Sequence, residues 1–142
     1  MQRQVWVSAY FSVRADAKRK VVRVERSSKG FEGGHDLFSE FQKLNRELDK
    51  IGRASYALLV DLRAAPGRND PQFEEQFANH RVRLLTGFRR AVVLVRTAAG
   101  KMQAERLRRT DQLAEHVRVF DNEAEALAFL DREEEPTPDE PA

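Results

Sequence analysis

Basic residues follow two apolar runs of strand length in this sequence, YALLVDL and AVVLV. If these runs form parallel neighbouring strands, the residues after them meet at one edge of a sheet, where ligands of α/β proteins usually bind. The loop after the first run ends in an Asp-Pro pair, which is typical of a helix start, and the free N–H groups and helix dipole there favour an anion. The candidate residues for binding an anion or an acidic partner are therefore Arg63, Arg68, Asn69, Asp70, Arg96 and Lys101.

The same pattern allows two other interpretations. In the plainer one, Asp61 caps or pairs locally, the arginines are solvated and the loop only reverses the chain, because exposed charges are weak signals of function. In the other, the basic segment from Lys101 to Arg109 follows a nucleic-acid backbone. The modest net charge and the nearby acids Glu105 and Asp111 disfavour that interpretation, so nucleic acid is not the expected partner.

The sequence lacks the usual catalytic and metal-binding patterns. Its three histidines lie far apart without a partner at metal-ligand or triad spacing, and there is no cysteine. Gly100 and Lys101 are followed by Met102, where a phosphate loop needs Ser or Thr. His80 falls near the apolar face of a predicted helix, which is typical of a core or boundary histidine. We therefore expect no catalytic residue, no cofactor, no metal and no enzymatic activity.

The charge distribution divides the chain into two parts. The 142 residues include 41% hydrophobic and 34% charged side chains, which suffices for one domain with its own core. The formal net charge is +2, but residues 131–142 carry six acidic residues and one basic residue, which leaves residues 1–130 with a net charge of +7. The sequence thus predicts an α/β domain over 1–130 and an acidic, Pro-rich disordered tail over 131–142.

Localisation signals are missing as well. No apolar run reaches the roughly 18 residues that a membrane-spanning helix needs, and the N-terminal residues do not form an export signal. The absence of cysteine fits a reducing compartment. We expect no membrane span and a cytoplasmic location.

Apolar periodicity predicts alternating strands and helices. Two segments rich in β-branched and aromatic residues, Val5 to Phe11 and Val21 to Arg26, are predicted to pair as an N-terminal hairpin. The run YALLVDL matches a central strand that is covered on both faces. Strands separated by helices must return by crossover and lie parallel, so the predicted order is ββαβαβαβα. The expected fold class is α/β, with a mixed sheet, an antiparallel hairpin at its start and about four helices.

The chain contains the segments YALLVDLRAAPGRNDPQFE, GFRRAVVLVRT and VRVFDNEAEALAFL. Together with the element order, they resemble the SpoIIAA-like branch of the STAS domain family, which has the anti-sigma-factor antagonist fold. The resemblance extends from Val5 to Leu130. It implies a STAS-like mixed sheet and a non-enzymatic regulatory module that binds a protein partner in bacterial cytoplasmic signalling.

Anti-sigma-factor antagonists of this family carry a phosphorylated serine at the start of the helix after the central strand. The matching segment here, RAAPGRNDPQ, contains no Ser, Thr or Tyr, so the implied phosphoswitch is absent. Arg63 and Arg68 instead place permanent positive charge where a phosphate would add about −2. The resemblance therefore implies either a constitutive adaptor or a module that recognises an acidic or phosphorylated partner. In both cases the expected contact surface is the loop from Arg63 to Asp70 and the helix from Pro71. A small-molecule, lipid or anion-binding domain is the alternative that the resemblance leaves open.

Overall fold

The computed structural model describes residues 2–30, 34–66 and 71–132. Within these residues the chain forms six strands, four α-helices and one 3-10 turn. In chain order the elements are β1 (Gln2–Val7), β2 (Phe11–Asp16), β3 (Val21–Arg26), α1 (Gly34–Ile51), the 3-10 turn (Arg53–Ser55), β4 (Ala57–Asp61), α2 (Pro71–Leu85), β5 (Ala91–Leu94), α3 (Ala98–Thr110), β6 (Val117–Phe120) and α4 (Glu123–Asp131). The predicted tail begins at the last residue of α4, and residues 133–142 lie outside the described residues.

The N-terminal segment forms three antiparallel strands, so the predicted two-stranded hairpin is wrong in its strand count. The chain turns at Ser8, whose hydroxyl accepts two backbone N–H groups at 3.1 Å each, and the segment predicted as one strand is divided between β1 and β2. In β2 the buried residues Phe11, Val13 and Ala15 alternate with polar residues that face the other side. The polar half of that alternation hides the strand in the sequence, because it resembles a polar connection.

From β3 onward the order of elements is the predicted one. The strand order is β1-β2-β3-β4-β5-β6, in which β1 to β3 are antiparallel and β3 to β6 are parallel. Each parallel strand returns through a helix to lie beside the previous one. All five residues of β4 are buried, as expected for a central strand. The fold class is confirmed as α/β with a mixed sheet and, in the described residues, four α-helices.

Helices cover the two faces of the sheet unequally. On one face, α1, α2 and α3 lie over a cluster that includes Phe41 of α1, Val60 of β4 and Val93 of β5. On the other face, α4 packs through Ala126 and Leu130 onto the alternate residues of β4 and β5. The larger cluster lies on the three-helix side, which also contains a cavity between the sheet and helices α2 and α3.

Arg53, in the 3-10 turn, holds the C-terminal end of α2. Its Nη1 donates to three backbone carbonyls there, at 2.7, 3.2 and 3.0 Å, and its Nη2 donates to Oδ1 of Asn45 at 2.9 Å. Asn45 is fully buried in α1, so this contact ties α2 to α1. The chain leaves α2 through Gly87, whose φ of 91° lies in the left-handed region that glycine tolerates. Position and tilt of α2 are therefore set by polar contacts as well as by packing.

Candidate functional site

Three arginines lie at the carboxyl ends of three neighbouring parallel strands. Arg26 is the last residue of β3, Arg63 follows β4 and Arg96 follows β5. The registers of β3 with β4 and of β4 with β5 bring the ends of these strands to the same edge of the sheet. The predicted parallel pairing of the strands before Arg63 and Arg96 is confirmed.

Asp61 ends β4 and holds Arg63 in place. Its Oδ1 accepts both the backbone N–H and Nε of Arg63 at 3.0 Å, and its Oδ2 accepts Nη2 of Arg63 at 2.8 Å. From β3, Nη2 of Arg23 donates to the same Oδ2 at 2.9 Å. Burial raises the pKa of Asp61, but hydrogen bonds and charge from Arg63 and Arg23 outweigh it, so this pKa lies below its ordinary value. Asp61 therefore pairs locally, as in the plainer interpretation.

Glu123 joins this network from α4. Its Oε1 accepts Nη2 of Arg63 at 3.0 Å and also accepts Nη2 of Arg23. The hydrogen bond from Arg23 is the main reason that the pKa of Glu123 lies below its ordinary value. Arg63 thus shares its charge between two carboxylates, although 41% of its side chain stays exposed. It is a positioned residue and not a freely solvated one.

The other predicted residues are placed differently. Arg96 is exposed and has no hydrogen-bond or ion-pair partner for its side chain within the part of the chain that the structure describes. Lys101 lies at the start of α3 and is partly buried. Arg68, Asn69 and Asp70 lie outside the described residues. Of the predicted set, the structure therefore brings Arg63 and Arg96 to one edge, and Arg96 has no acid beside it among the described residues.

A cavity of about 490 Å³ lies between the sheet and helices α2 and α3. Valines of β4, β5 and β6, with the adjoining Val95, form its floor, and Phe77 and Leu84 of α2 line one side. Ala104 and Leu107 of α3 line the other side. None of the 13 residues of α3 is buried, and part of the inner face of this helix borders the cavity. Apolar cavities of this size are typical of small-molecule sites.

The cavity opens at the carboxyl edge of the sheet. Its exposed lining residues are Gly30 after β3, Pro66 after β4, and Arg96 and Thr97 after β5. Oγ1 of Thr97 accepts the N–H of Gly100 at 2.9 Å and so caps α3. The mouth of the cavity therefore coincides with the edge at which the sequence predicts a ligand.

Arginines outnumber acids in the described lining by five to one. The acid is Asp111, whose side chain is 5% exposed and accepts Nε and Nη2 of Arg81 at 2.9 and 3.1 Å. Burial lowers the pKa of Arg26, whose Nη1 donates to the carbonyl of Ser27 at 2.8 Å. Nε of Arg108 is buried with no acceptor in the described residues. The lining arginines are Arg26, Arg63, Arg81, Arg96 and Arg108.

The sequence interpretation predicts neither the cavity nor the place of Arg26 in its lining. A signal for Arg26 exists, since the segment Val21 to Arg26 is separated from YALLVDL by a helix and must also be parallel to it. The cavity has only a faint signal, the small number of apolar residues in α3. Its volume depends on how far α2 and α3 stand from the sheet, which no local pattern fixes.

Comparisons and searches add few constraints. Among residues 2–30, 34–66 and 71–132, no group of three or more His, Cys, Asp or Glu side chains could hold a metal ion. The helices of the same residues are all too short or too polar to cross a membrane. No family model, curated protein or solved structure matches the chain. The cavity and its mouth are therefore the features of the molecule that bear on its function.

Proposed function

We propose that this protein is a non-enzymatic binding module that takes up a small, largely apolar molecule in the cavity between its sheet and helices α2 and α3. The cavity of about 490 Å³ is the observation that carries the proposal. An apolar molecule bound there makes van der Waals contacts with the apolar walls. It also gains the hydrophobic free energy of leaving water.

The polar lining supports binding more than catalysis. Thr97 is used as the cap of α3, Asp111 is used in its pair with Arg81, and Arg63 is shared between Asp61 and Glu123. These groups fix the walls and the mouth. General acid–base or nucleophilic chemistry instead needs a titratable group that is free to face the substrate.

A role in protein–protein interaction, with membership of the STAS family, is the second candidate. The order of elements from β3 to α4 supports the family resemblance. Phe38 of α1 is 49% exposed, and its ring lies edge-on to the ring of His80 in α2 at 4.9 Å. An exposed aromatic group beside the predicted partner helix favours a contact surface there, because aromatic residues are enriched in interfaces. The two candidates are compatible, since a bound ligand could control a partner surface on α2.

Filling the cavity tests the leading proposal. Ala104→Phe places a ring in the space that a ligand would occupy. Saturating the wild-type protein with decan-1-ol, a neutral apolar probe, should raise its free energy of unfolding by about 2.7 kcal/mol at a hundred times Kd. For a chain of this size that corresponds to a rise in Tm of about 5–10 °C. The Ala104→Phe variant should fold and lose this response.

A matched control uses the same substitution elsewhere. Ala124→Phe changes an exposed residue of α4, on the opposite face of the sheet. It should keep the wild-type response to decanol. Equal responses in wild type and Ala104→Phe, or no response of the wild type up to the solubility limit of the alcohol, would refute the cavity as a binding site.

A further inference from the structure

Resting on the proposed function, we infer that the ligand is an amphipathic monoanion, with an acyl chain inside the cavity and a carboxylate bound by Arg96 at its mouth. The charges around the cavity select this class of ligand, because most of them are compensated by an acid and Arg96 at the mouth is not, within the described residues.

Most of the positive charge around the cavity already has an acid beside it. Asp111 pairs with Arg81, and Oε2 of Glu105 lies 2.7 Å from Nη2 of Arg108. Arg63 has two carboxylate partners in Asp61 and Glu123. With a single acid in the described lining, the cavity disfavours a cationic ligand, because an ammonium group would meet five arginines and one compensated carboxylate.

Arg96 differs from these arginines. It has neither an acid nor another hydrogen-bond acceptor for its side chain among the described residues, and it is exposed at the cavity mouth. A guanidinium binds a carboxylate through two parallel hydrogen bonds, which are stronger than bonds between neutral groups. Since the mouth is open to water, the carboxylate can keep part of its hydration and avoids the cost of a buried charge. Among the described residues exposed at the mouth, Arg96 is the one cation without an acid, and it matches a ligand with one negative charge.

The floor of the cavity continues inward from this point. Arg96 follows Val95, and Val95 and Val93 line the floor together with valines of the neighbouring strands. An acyl chain whose carboxylate lies at Arg96 can therefore extend over the valines of the floor. Each added methylene should tighten binding about fourfold until the cavity is filled.

Three probes with the same ten-carbon chain separate the head group from the chain. Decanoate, decan-1-ol and decylamine are titrated by calorimetry into the wild-type protein, Arg96→Gln and Arg89→Gln. Arg89 is an exposed arginine before β5, at the opposite edge of the sheet, and serves as the matched control. We expect the wild type to bind decanoate about tenfold more tightly than decanol, and decylamine least tightly. Arg96→Gln should weaken decanoate about tenfold and leave decanol unchanged, while Arg89→Gln should match the wild type.

The outcomes distinguish this inference from the proposed function. Equal affinities for decanoate and decanol, or an unchanged decanoate affinity in Arg96→Gln, would overturn the inference and leave the apolar cavity as a site. Tightest binding of decylamine would overturn it as well. If neither decanoate nor decanol binds the wild type, the proposed function fails and the inference fails with it. Loss of decanoate affinity in Arg89→Gln to the same degree would show a general effect of net charge and would also overturn the assignment to Arg96.

Discussion

Replacing Arg53 by methionine should destabilise the fold by about 3 kcal/mol. Although Arg53 lies in a turn, only 11% of its side chain is exposed. Its guanidinium donates to the end of α2 and to Asn45 of α1, so it fixes one wall of the cavity relative to the rest of the domain. Methionine retains most of the aliphatic stem of Arg53, which lies beside Gly87. The substitution therefore removes mainly the polar contacts.

The magnitude comes from three contributions. Oδ1 of Asn45 loses the donor at 2.9 Å in a fully buried position, and an unsatisfied buried acceptor costs about 1–3 kcal/mol. Loss of a cation at the C-terminal end of α2 adds about 0.3–1 kcal/mol. The pair with Asp49 at 2.7 Å adds about 0–1 kcal/mol, because the Asp49 side chain is 51% exposed. A total of about 3 kcal/mol lowers the folding equilibrium constant by about a hundredfold.

Equilibrium unfolding in urea, followed by the fluorescence of the single tryptophan, measures this change. With an m value of about 2 kcal/mol/M, the midpoint should fall by about 1.5 M. Arg46→Met changes an exposed arginine of α1 and should stay within about 0.5 kcal/mol of the wild type. A loss below about 1 kcal/mol for Arg53→Met at an unchanged m value would show that water replaces the guanidinium, and would refute the role given to Arg53.

Two further predictions concern α2 and the loop before it. His80 stacks on Phe41 at 5.5 Å, and burial, with a smaller effect of Arg83, holds the pKa of His80 below its ordinary value. Because the folded state favours the neutral ring, the free energy of unfolding should fall as the pH drops below about 6.5. When urea midpoints are compared at pH 7.5 and 5.5, this fall should be smaller in His80→Leu and unchanged in His116→Gln. If the protein-interaction candidate is right, Arg68→Glu should abolish capture of the partner in a pull-down from bacterial cytosol without lowering Tm. Arg89→Glu should leave capture of the partner intact. Equal capture by the two variants would contradict a contact at Arg68.

Several features of the fold were accessible from the sequence because they depend on residues close together in the chain. The continuous apolar run of β4 predicts a strand covered on both faces, and all five residues are buried. Asn122 precedes the final helix as a cap, and its Oδ1 accepts the N–H of Glu125 at 3.0 Å. The third N-terminal strand escaped prediction because half of the residues of β2 are polar and face away from the core.

The candidate site was accessible only in part. Parallel strands imply that Arg63 and Arg96 share an edge, and the sheet has this geometry. The sequence does not reveal Glu123 as a partner of Arg63, since Glu123 lies 60 residues further along the chain, in the helix on the face of the sheet opposite the cavity. Ion pairs of this kind depend on how the helices of both layers pack on the sheet. The sequence alone therefore could not show which arginine has a carboxylate partner and which has none.

The sequence by itself therefore determined the α/β class, the order of elements from β3 onward and the edge of the sheet to which Arg63 and Arg96 belong. These properties follow from hydrophobic periodicity and from chain direction. Only the tertiary structure decided that a cavity of about 490 Å³ lies under α2 and α3, and that Arg96 at its mouth has no acid beside it in the described residues. Hydrophobic periodicity predicts which face of a helix points toward the sheet. The distance between that face and the sheet is set by side chains from several elements packing at once.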